Sequence, residues 1–336
     1  MEIGLPEGIA ISRLEADIPI GFMPKFEESM EIFEKLYNKD KSWTIAYSGG
    51  KDSTALTVLA LFMKSMHPDI NLRITYSDTM MEIPEMSSVA HNFLDYIRDN
   101  SASEVTIVKP AITDTYWVRM IGRGYPPPSP RFRWCTDKIK IKPSRKISND
   151  KGIFITGMRV GESRQRDAKI KNSCLSPGAS ECGGDRWISQ KGIDVAAPII
   201  NWTSFDVWYF LQSIAVKYVP AVKYVIDLYG NTTMRFGCWM CTVVQRDKTM
   251  ETMAKSGNEK IRKMLAFRQW LVEEARKPEN RYMRKNGIKG RMRKEFRKDI
   301  LKKIITLEKE INLKLINDSE IEVILRLLNS NNYAEY

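Results

Sequence analysis

A chain of 336 residues, 43% of them hydrophobic and 10% aromatic, can bury the core of one large domain or two smaller ones. No apolar run reaches the roughly 18–20 residues of a membrane span. Residues 1–20 lack the basic start and apolar block of a secretory signal, so a cytoplasmic protein with no membrane partner is expected. The net charge of +12 is local: residues 235–303 hold 21 Lys and Arg against 8 Asp and Glu, which leaves the rest nearly neutral and points to a polyanionic partner. Five cysteines, two of them spaced C-x-x-C, argue against a disulfide framework and for metal, cluster or redox chemistry in a reducing compartment.

Residues 24–38 place Phe26, Met30, Phe33 and Tyr37 at steps of four, three and four, which predicts an amphipathic helix. The run Trp43 to Tyr47 reads as a buried parallel strand, and Thr54 to Met63 as a buried helix. Between them lies Ser48-Gly49-Gly50-Lys51-Asp52-Ser53. Two glycines allow a sharp turn and close approach of a ligand. The free N–H groups of the next helix, two hydroxyls and a lysine make this a phosphate cradle, although it is not a Walker A loop. Asn71 to Ser77 predicts a second strand ending in Ser77 and Asp78, where α/β proteins bind ligands. A helix over 84–98 starts at Pro84, and Val105 to Val108 is a third strand. Strands alternating with helices predict a doubly wound parallel sheet.

Pro126-Pro127-Pro128 and Pro130 make a stiff loop that delivers Arg133-Trp134-Cys135-Thr136-Asp137. The cations beside Cys135 are expected to lower its thiol pKa; a buried structural cysteine is the plainer alternative. A short basic helix begins near Lys138. Ile153 to Gly157 reads as a fourth strand, running into Arg159, which is placed to meet a phosphate or, more plainly, to pair with Glu162 at the surface. Residues 167–192 read as irregular and carry Cys174 and Cys182. Thr203 or Ser204 caps a helix through Ile214, with Trp208 and Phe210 in the core. Cys238-Trp239-Met240-Cys241 fits zinc, an iron–sulfur cluster or a redox dithiol. His67 and His91 read as structural. From Glu251 onward the pattern is largely helical and basic, with aromatics among the cations, as suits nucleic acid or a solvated surface. The expected division is a helical segment over 1–40, a nucleotide domain over 41–225, and a cysteine motif with a basic helical region over 226–336.

The pattern S-G-G-x-D-S resembles the pyrophosphate loop of the ATP pyrophosphatases. Together with Ser77-Asp78-Thr79, Thr156-Gly157-Met158-Arg159 and Asp206-Val207-Trp208, it resembles the PAPS-reductase family. Within that family the two cysteine blocks are similar to DndC-like, or SspD-like, sulfurtransferases of DNA phosphorothioation. The resemblance implies an adenine-nucleotide α-hydrolase-like sheet. It implies a nucleotide site of Ala46, Tyr47, Ser48, Gly49, Gly50, Lys51, Asp52, Ser53, Ser77, Asp78, Arg133, Gly157 and Arg159. Lys51, Asp52, Ser53, Arg159 and Cys135 are the implied catalytic residues. ATP with Mg²⁺ would adenylate a DNA backbone phosphate, with Asp52 or Asp78 as outer partners of the metal, and sulfur would then replace an oxygen.

The resemblance further implies a [4Fe–4S] cluster on Cys135, Cys238, Cys241 and either Cys182 or Cys174, or on three thiolates with one open iron. Implied partners are DNA, a cysteine desulfurase as sulfur donor and other phosphorothioation proteins; a homodimer is compatible with it. The alternatives are a phosphoadenylyl-sulfate or adenylyl-sulfate reductase, a tRNA thiolase, and a non-catalytic ATP-dependent nucleic-acid-binding protein.

Overall fold

The structure is a computed structural model. It describes residues 19, 21–143, 152–162, 167–168, 187–190, 193–230, 236–244, 246–283 and 287–330. The chain forms two compact units whose segments alternate along the sequence: residues 1–77, 84–108 and 147–233 in the first, and 78–83, 109–146 and 234–336 in the second. The division into three consecutive blocks read from the sequence therefore differs from the division by packing.

The first unit holds a six-stranded sheet in the order β3-β2-β1-β4-β6-β5. Its strands are β1 (Ser42–Tyr47), β2 (Asn71–Ser77), β3 (Glu104–Val108), β4 (Ile153–Thr156), β5 (Trp187–Gln190) and β6 (Ile193–Ala196). All neighbours are parallel except β5, which runs antiparallel to β6. The chain winds outward from β1 to β3, then resumes on the other side of β1 at β4. That reversal is the switch point at which open α/β sheets bind ligands. The helices are α1 (Phe22–Lys39), α2 (Lys51–Met66), α3 (Pro84–Asn100), α4 (Ser204–Tyr209), which runs on as a π-helix over Phe210–Ala215, and α5 (Val222–Tyr229). The doubly wound α/β expectation agrees with this architecture. Strands β5 and β6 were not expected, because short segments beside an irregular stretch carry no period of their own and take their form from pairing with each other.

Helix α2 explains why the sheet is fixed so firmly. Every residue from Ser53 to Met63 is buried, so the helix is apolar all round and packs on each side. Full burial of side chains such as Leu56, Leu59 and Phe62 stabilises the fold by roughly 1.5–3 kcal/mol each. Helix α1 lays Phe26, Ile32, Phe33 and Leu36 on the same core, with Phe33 5.5 Å from Trp43. Thr203 caps α4 through a reciprocal box with Asp206, and Asp206 also takes an ion pair from Lys25 at 2.6 Å.

The second unit is built on aromatic packing. Trp117, Trp239 and Phe267 stand within 6.2 Å of one another, and Tyr116 stacks on Trp134 at 5.3 Å. Around them lie α6 (Lys248–Lys255), α7 (Glu259–Glu274), α8 (Lys294–Ile311) and α9 (Asp318–Asn329). Buried Arg297 on α8 donates to the carbonyls of Ile121 and Gly122, at the C-terminal end of the π-helical turn Val118–Gly122, where a cation is favoured. Trp117 Nε1 donates to the Leu315 carbonyl at 2.9 Å. The basic stretch near 281–292 is not all helix. It contains an antiparallel ribbon of β7 (Arg281–Met283) and β8 (Lys289–Met292), and Gly287 between the strands has φ +74°. A left-handed glycine and the partner strand override the helical period there. Buried Arg281 ties the ribbon together by donating to the Gly290 carbonyl at 2.8 Å.

Candidate active site

In the first unit, β1 and β2 are in register from Ser42↔Asn71 to Tyr47↔Tyr76, and Ala46 faces Thr156 of β4. Ser48, Ser77 and Gly157 therefore leave three adjacent strands at one end of the sheet. Ala46 and Tyr47 close β1, and Tyr47 is buried against Phe93 at 5.1 Å. Burial pushes the Tyr47 phenol well above its usual range, so it is a neutral wall and not an acid. The Ser77 hydroxyl is buried without a hydrogen-bond partner among the described residues. An orphaned polar group at a strand end is what a ligand would satisfy.

The loop after β1 is organised by its own hydroxyls. Ser48 N–H donates to Ser53 Oγ at 3.1 Å, the two serine hydroxyls are 3.0 Å apart, and Ser53 Oγ donates to the Gly50 carbonyl at 2.9 Å. Gly49 has φ +76°, and a Cβ on it would come 3.0 Å from Ala90 on α3, so both conformation and space call for glycine. Gly50 is the N-cap of α2 and has no side chain to occupy the first-turn N–H groups. The helix start is thus left as an anion site.

Two cations flank Asp52. Arg159, 5% exposed, donates from Nε to Asp52 Oδ1 at 2.6 Å and from Nη1 to the Trp202 carbonyl at 2.8 Å. Lys51 Nζ donates to Asp52 Oδ2 at 2.8 Å. One carboxylate between two cations leaves a net positive charge beside the α2 N-terminus. The partner of Arg159 is therefore Asp52 and not Glu162. Both Asp52 oxygens are taken by cations, so the carboxylate orients them instead of facing a metal's water.

Gly157, expected in the nucleotide site, packs on the loop, whereas Tyr229 escaped sequence reading. A Cβ on Gly157 would lie 2.9 Å from the Asp52 carbonyl oxygen, so this glycine lets the chain after β4 lie against the loop. The hydroxyl of Tyr229, at the end of α5, stands 3.5 Å from Lys51 N and from the site of a Gly50 Cβ. Tyr229 carried no signal in the sequence.

Asp78, Arg133, Cys135, Cys238 and Cys241 belong to the second unit. Asp78 accepts from Met80 N at 2.8 Å and pairs with Lys109 at 3.4 Å. Arg133 is exposed. Cys238 and Cys241 sit on one turn, closed by Cys241 N–H donating to the Cys238 carbonyl at 2.9 Å. Burial raises the Cys135 thiol pKa above its usual value, and nearby Cys241 adds to the rise while Thr136 opposes it. This corrects the expectation of a lowered pKa. Arg131 and Arg133 are exposed, where solvent screens them, whereas the sulfur is partly buried. Burial raises Cys238 further, reinforced by Glu82 and Cys241. The three thiols also act together on the buried Tyr116 hydroxyl, which burial and their charges push well up. Among the described residues no three His, Cys, Asp or Glu side chains are arranged to hold a metal ion. Cys174 and Cys182 lie outside the described residues.

Residues 42–244 match the phosphoadenosine phosphosulfate reductase domain family. Two uncharacterized proteins of Methanocaldococcus jannaschii are similar to this chain. One is 27% identical over 234 residues, covering 67% of this chain and 42% of the relative; the other is 26% identical over 221 residues, covering 64% and 46%. The chain thus spans a little under half the length of the curated relatives it matches. The phosphoadenylyl-sulfate reductase of Candida auris, solved with phosphate, is similar at 14% identity and a TM-score of 0.43, covering 68% of this chain and all of that one. The matched segment takes in the Ser48–Ser53 loop, Arg159 and the C-x-x-C turn, and the chain belongs to the phosphoadenosine phosphosulfate reductase domain family.

Proposed function

We propose that this protein is an ATP-dependent sulfurtransferase, DndC-like or SspD-like, that adenylates a DNA backbone phosphate and replaces a non-bridging oxygen by sulfur. The observation that carries the reading is the loop itself. Two preorganised hydroxyls, an uncapped helix start and a net positive charge together form a cradle for a leaving pyrophosphate. Donors fixed in advance where charge develops do the main work of phosphoryl chemistry. A backbone phosphate oxygen attacks the α-phosphorus of ATP, and pyrophosphate leaves into the loop. A sulfur nucleophile at the oxidation level of sulfide then displaces AMP. Lys51 and Arg159 hold the departing charge, and the unpartnered Ser77 hydroxyl is a donor for the bound nucleotide. Mg²⁺ would arrive on the ATP phosphates; the loop offers it no open carboxylate, since both Asp52 oxygens are occupied.

The cysteines of the second unit fit an iron–sulfur cluster in their chemistry. They are soft donors, and at Cys135 and Cys238 burial, reinforced by neighbouring charge, makes the thiolate costly until a cation compensates. Cys135, Cys238 and Cys241 would hold it, with Cys182, Cys174 or an open iron as the fourth position. A cluster there would supply a site able to carry sulfur. Anaerobically purified protein is expected to hold about four irons per chain, and Cys238→Ser to lose them; stoichiometric zinc without iron would exclude the cluster.

The family name favours a second reading, a sulfonucleotide reductase with a small substrate. The two separate cleanly. The protein, incubated with ATP, a sulfide source and DNA, should release pyrophosphate and leave phosphorothioate dinucleotides in the nuclease digest by mass spectrometry. Reduction of phosphoadenylyl sulfate without sulfur in DNA would favour the reductase. Sulfur in tRNA alone would indicate a tRNA thiolase, and no pyrophosphate at all a non-catalytic binder.

A further inference from the structure

The second unit contains a cleft of about 1290 Å³, larger than the roughly 300–1,000 Å³ typical of small-molecule sites. Its described lining carries nine Lys and Arg against four Asp and Glu. Three of those carboxylates pair with lining cations, Asp137 with Lys138, Asp247 with Arg268 and Glu251 with Arg246, and the lining keeps an excess of positive charge. A lining of this charge suits a chain of phosphates.

One wall is aromatic. Tyr125 and Phe132 lie parallel, with planes 8° apart and ring centroids 6.2 Å apart. Arg119 and Arg291 stand 5.4 and 5.9 Å from the Tyr125 centroid. Phe132 is 45% exposed, which is unusual for a ring held so firmly. Its turn is closed by reciprocal backbone bonds between Ser129 and Phe132, and the prolines before it are pinned. Trp134 Nε1 donates to the Pro126 carbonyl at 2.9 Å, and Thr242 Oγ1 to the Pro128 carbonyl at 2.6 Å. The ring is therefore offered to the cleft by a rigid support, so little ordering entropy is lost when a ligand stacks on it.

We propose that this cleft seats an unpaired stretch of nucleic acid, a base stacking on Phe132 while neighbouring phosphates meet Arg131, Arg276 and Lys289. Duplex binding through phosphates needs cations but no open ring; a single strand has free base faces to stack. The proposal deepens the reading that nucleic acid is the acceptor, and it rests on that reading.

Fluorescence anisotropy with short labelled oligonucleotides tests it, using single-stranded DNA, single-stranded RNA and the matching duplex. A single strand should bind at least about ten-fold more tightly than the duplex, and Phe132→Ala should weaken that binding by about 5- to 150-fold. Arg131→Glu should lower the dependence of affinity on salt. Both side chains are exposed, so the variants should fold, which circular dichroism checks. Whichever single strand binds better names the source of the ligand. Equal or tighter duplex binding, or unchanged affinity of Phe132→Ala, would overturn the proposal. Sulfur transfer into duplex DNA that ignores Phe132→Ala would overturn it while leaving the proposed function standing. Phe132-dependent binding of a single strand with no sulfur incorporated would do the reverse.

Discussion

Ser53→Ala is expected to slow pyrophosphate release by about 10²–10³-fold, the usual cost of one lost donor at a developing charge. The effect should be that large because Ser53 does two things. Its hydroxyl fixes the loop at rest, accepting from Ser48 N–H and donating to the Gly50 carbonyl, and as pyrophosphate leaves it can turn that one proton from the carbonyl to the departing oxygen. Ser53→Thr, which keeps the hydroxyl, should recover part of the rate. The side chain is small and the core side of α2 is untouched, so thermal unfolding should move little. A steady-state pyrophosphate assay on the three proteins decides it; a rate for Ser53→Ala within two- or three-fold of wild type, about 0.6 kcal/mol or less, would remove the hydroxyl from the chemistry.

Asp52→Ala is expected to destabilise the protein by about 3–5 kcal/mol, because it strands the buried Arg159 guanidinium. The Trp202 carbonyl is one remaining acceptor and carries no charge. The double variant Asp52→Ala with Arg159→Met should regain much of that stability, since it removes the orphaned charge along with its partner, yet it should stay inactive. Urea unfolding of the single and double variants measures the coupling. Equal losses that simply add would show that the pair does not act as a unit.

Much of the first unit was legible in the sequence. The periodicity of Phe26, Met30, Phe33 and Tyr37, the run Trp43 to Tyr47 and the uninterrupted burial of α2 are local patterns, and the structure follows them to within a few residues. What local pattern does not carry is pairing across the chain. Arg159 reads equally well as a phosphate ligand or a surface cation until Asp52 is placed beside it 107 residues away. Tyr229 has no motif at all. The Cys135 thiol was misjudged because neighbours in sequence are not neighbours in dielectric: the nearby Arg131 and Arg133 are exposed to water, and the sulfur is partly buried. The β7–β8 ribbon was hidden because its strands are too short to show a period.

The alternation of the two units along the chain also has a consequence for synthesis. Trp117 waits for the carbonyl of Leu315, 198 residues downstream. At roughly 5–20 residues per second, a ribosome needs on the order of 10–40 s to deliver it. During that interval Tyr116, Trp117 and Met120, all buried in the finished unit, have no core to enter. The nascent chain therefore carries an apolar segment as a guest for chaperones, lodged between stretches of the first unit that can already fold. Truncation after residue 233 would make that wait permanent, so the C-terminal residues cannot be removed as a cassette without leaving residues 109–146 exposed to aggregation.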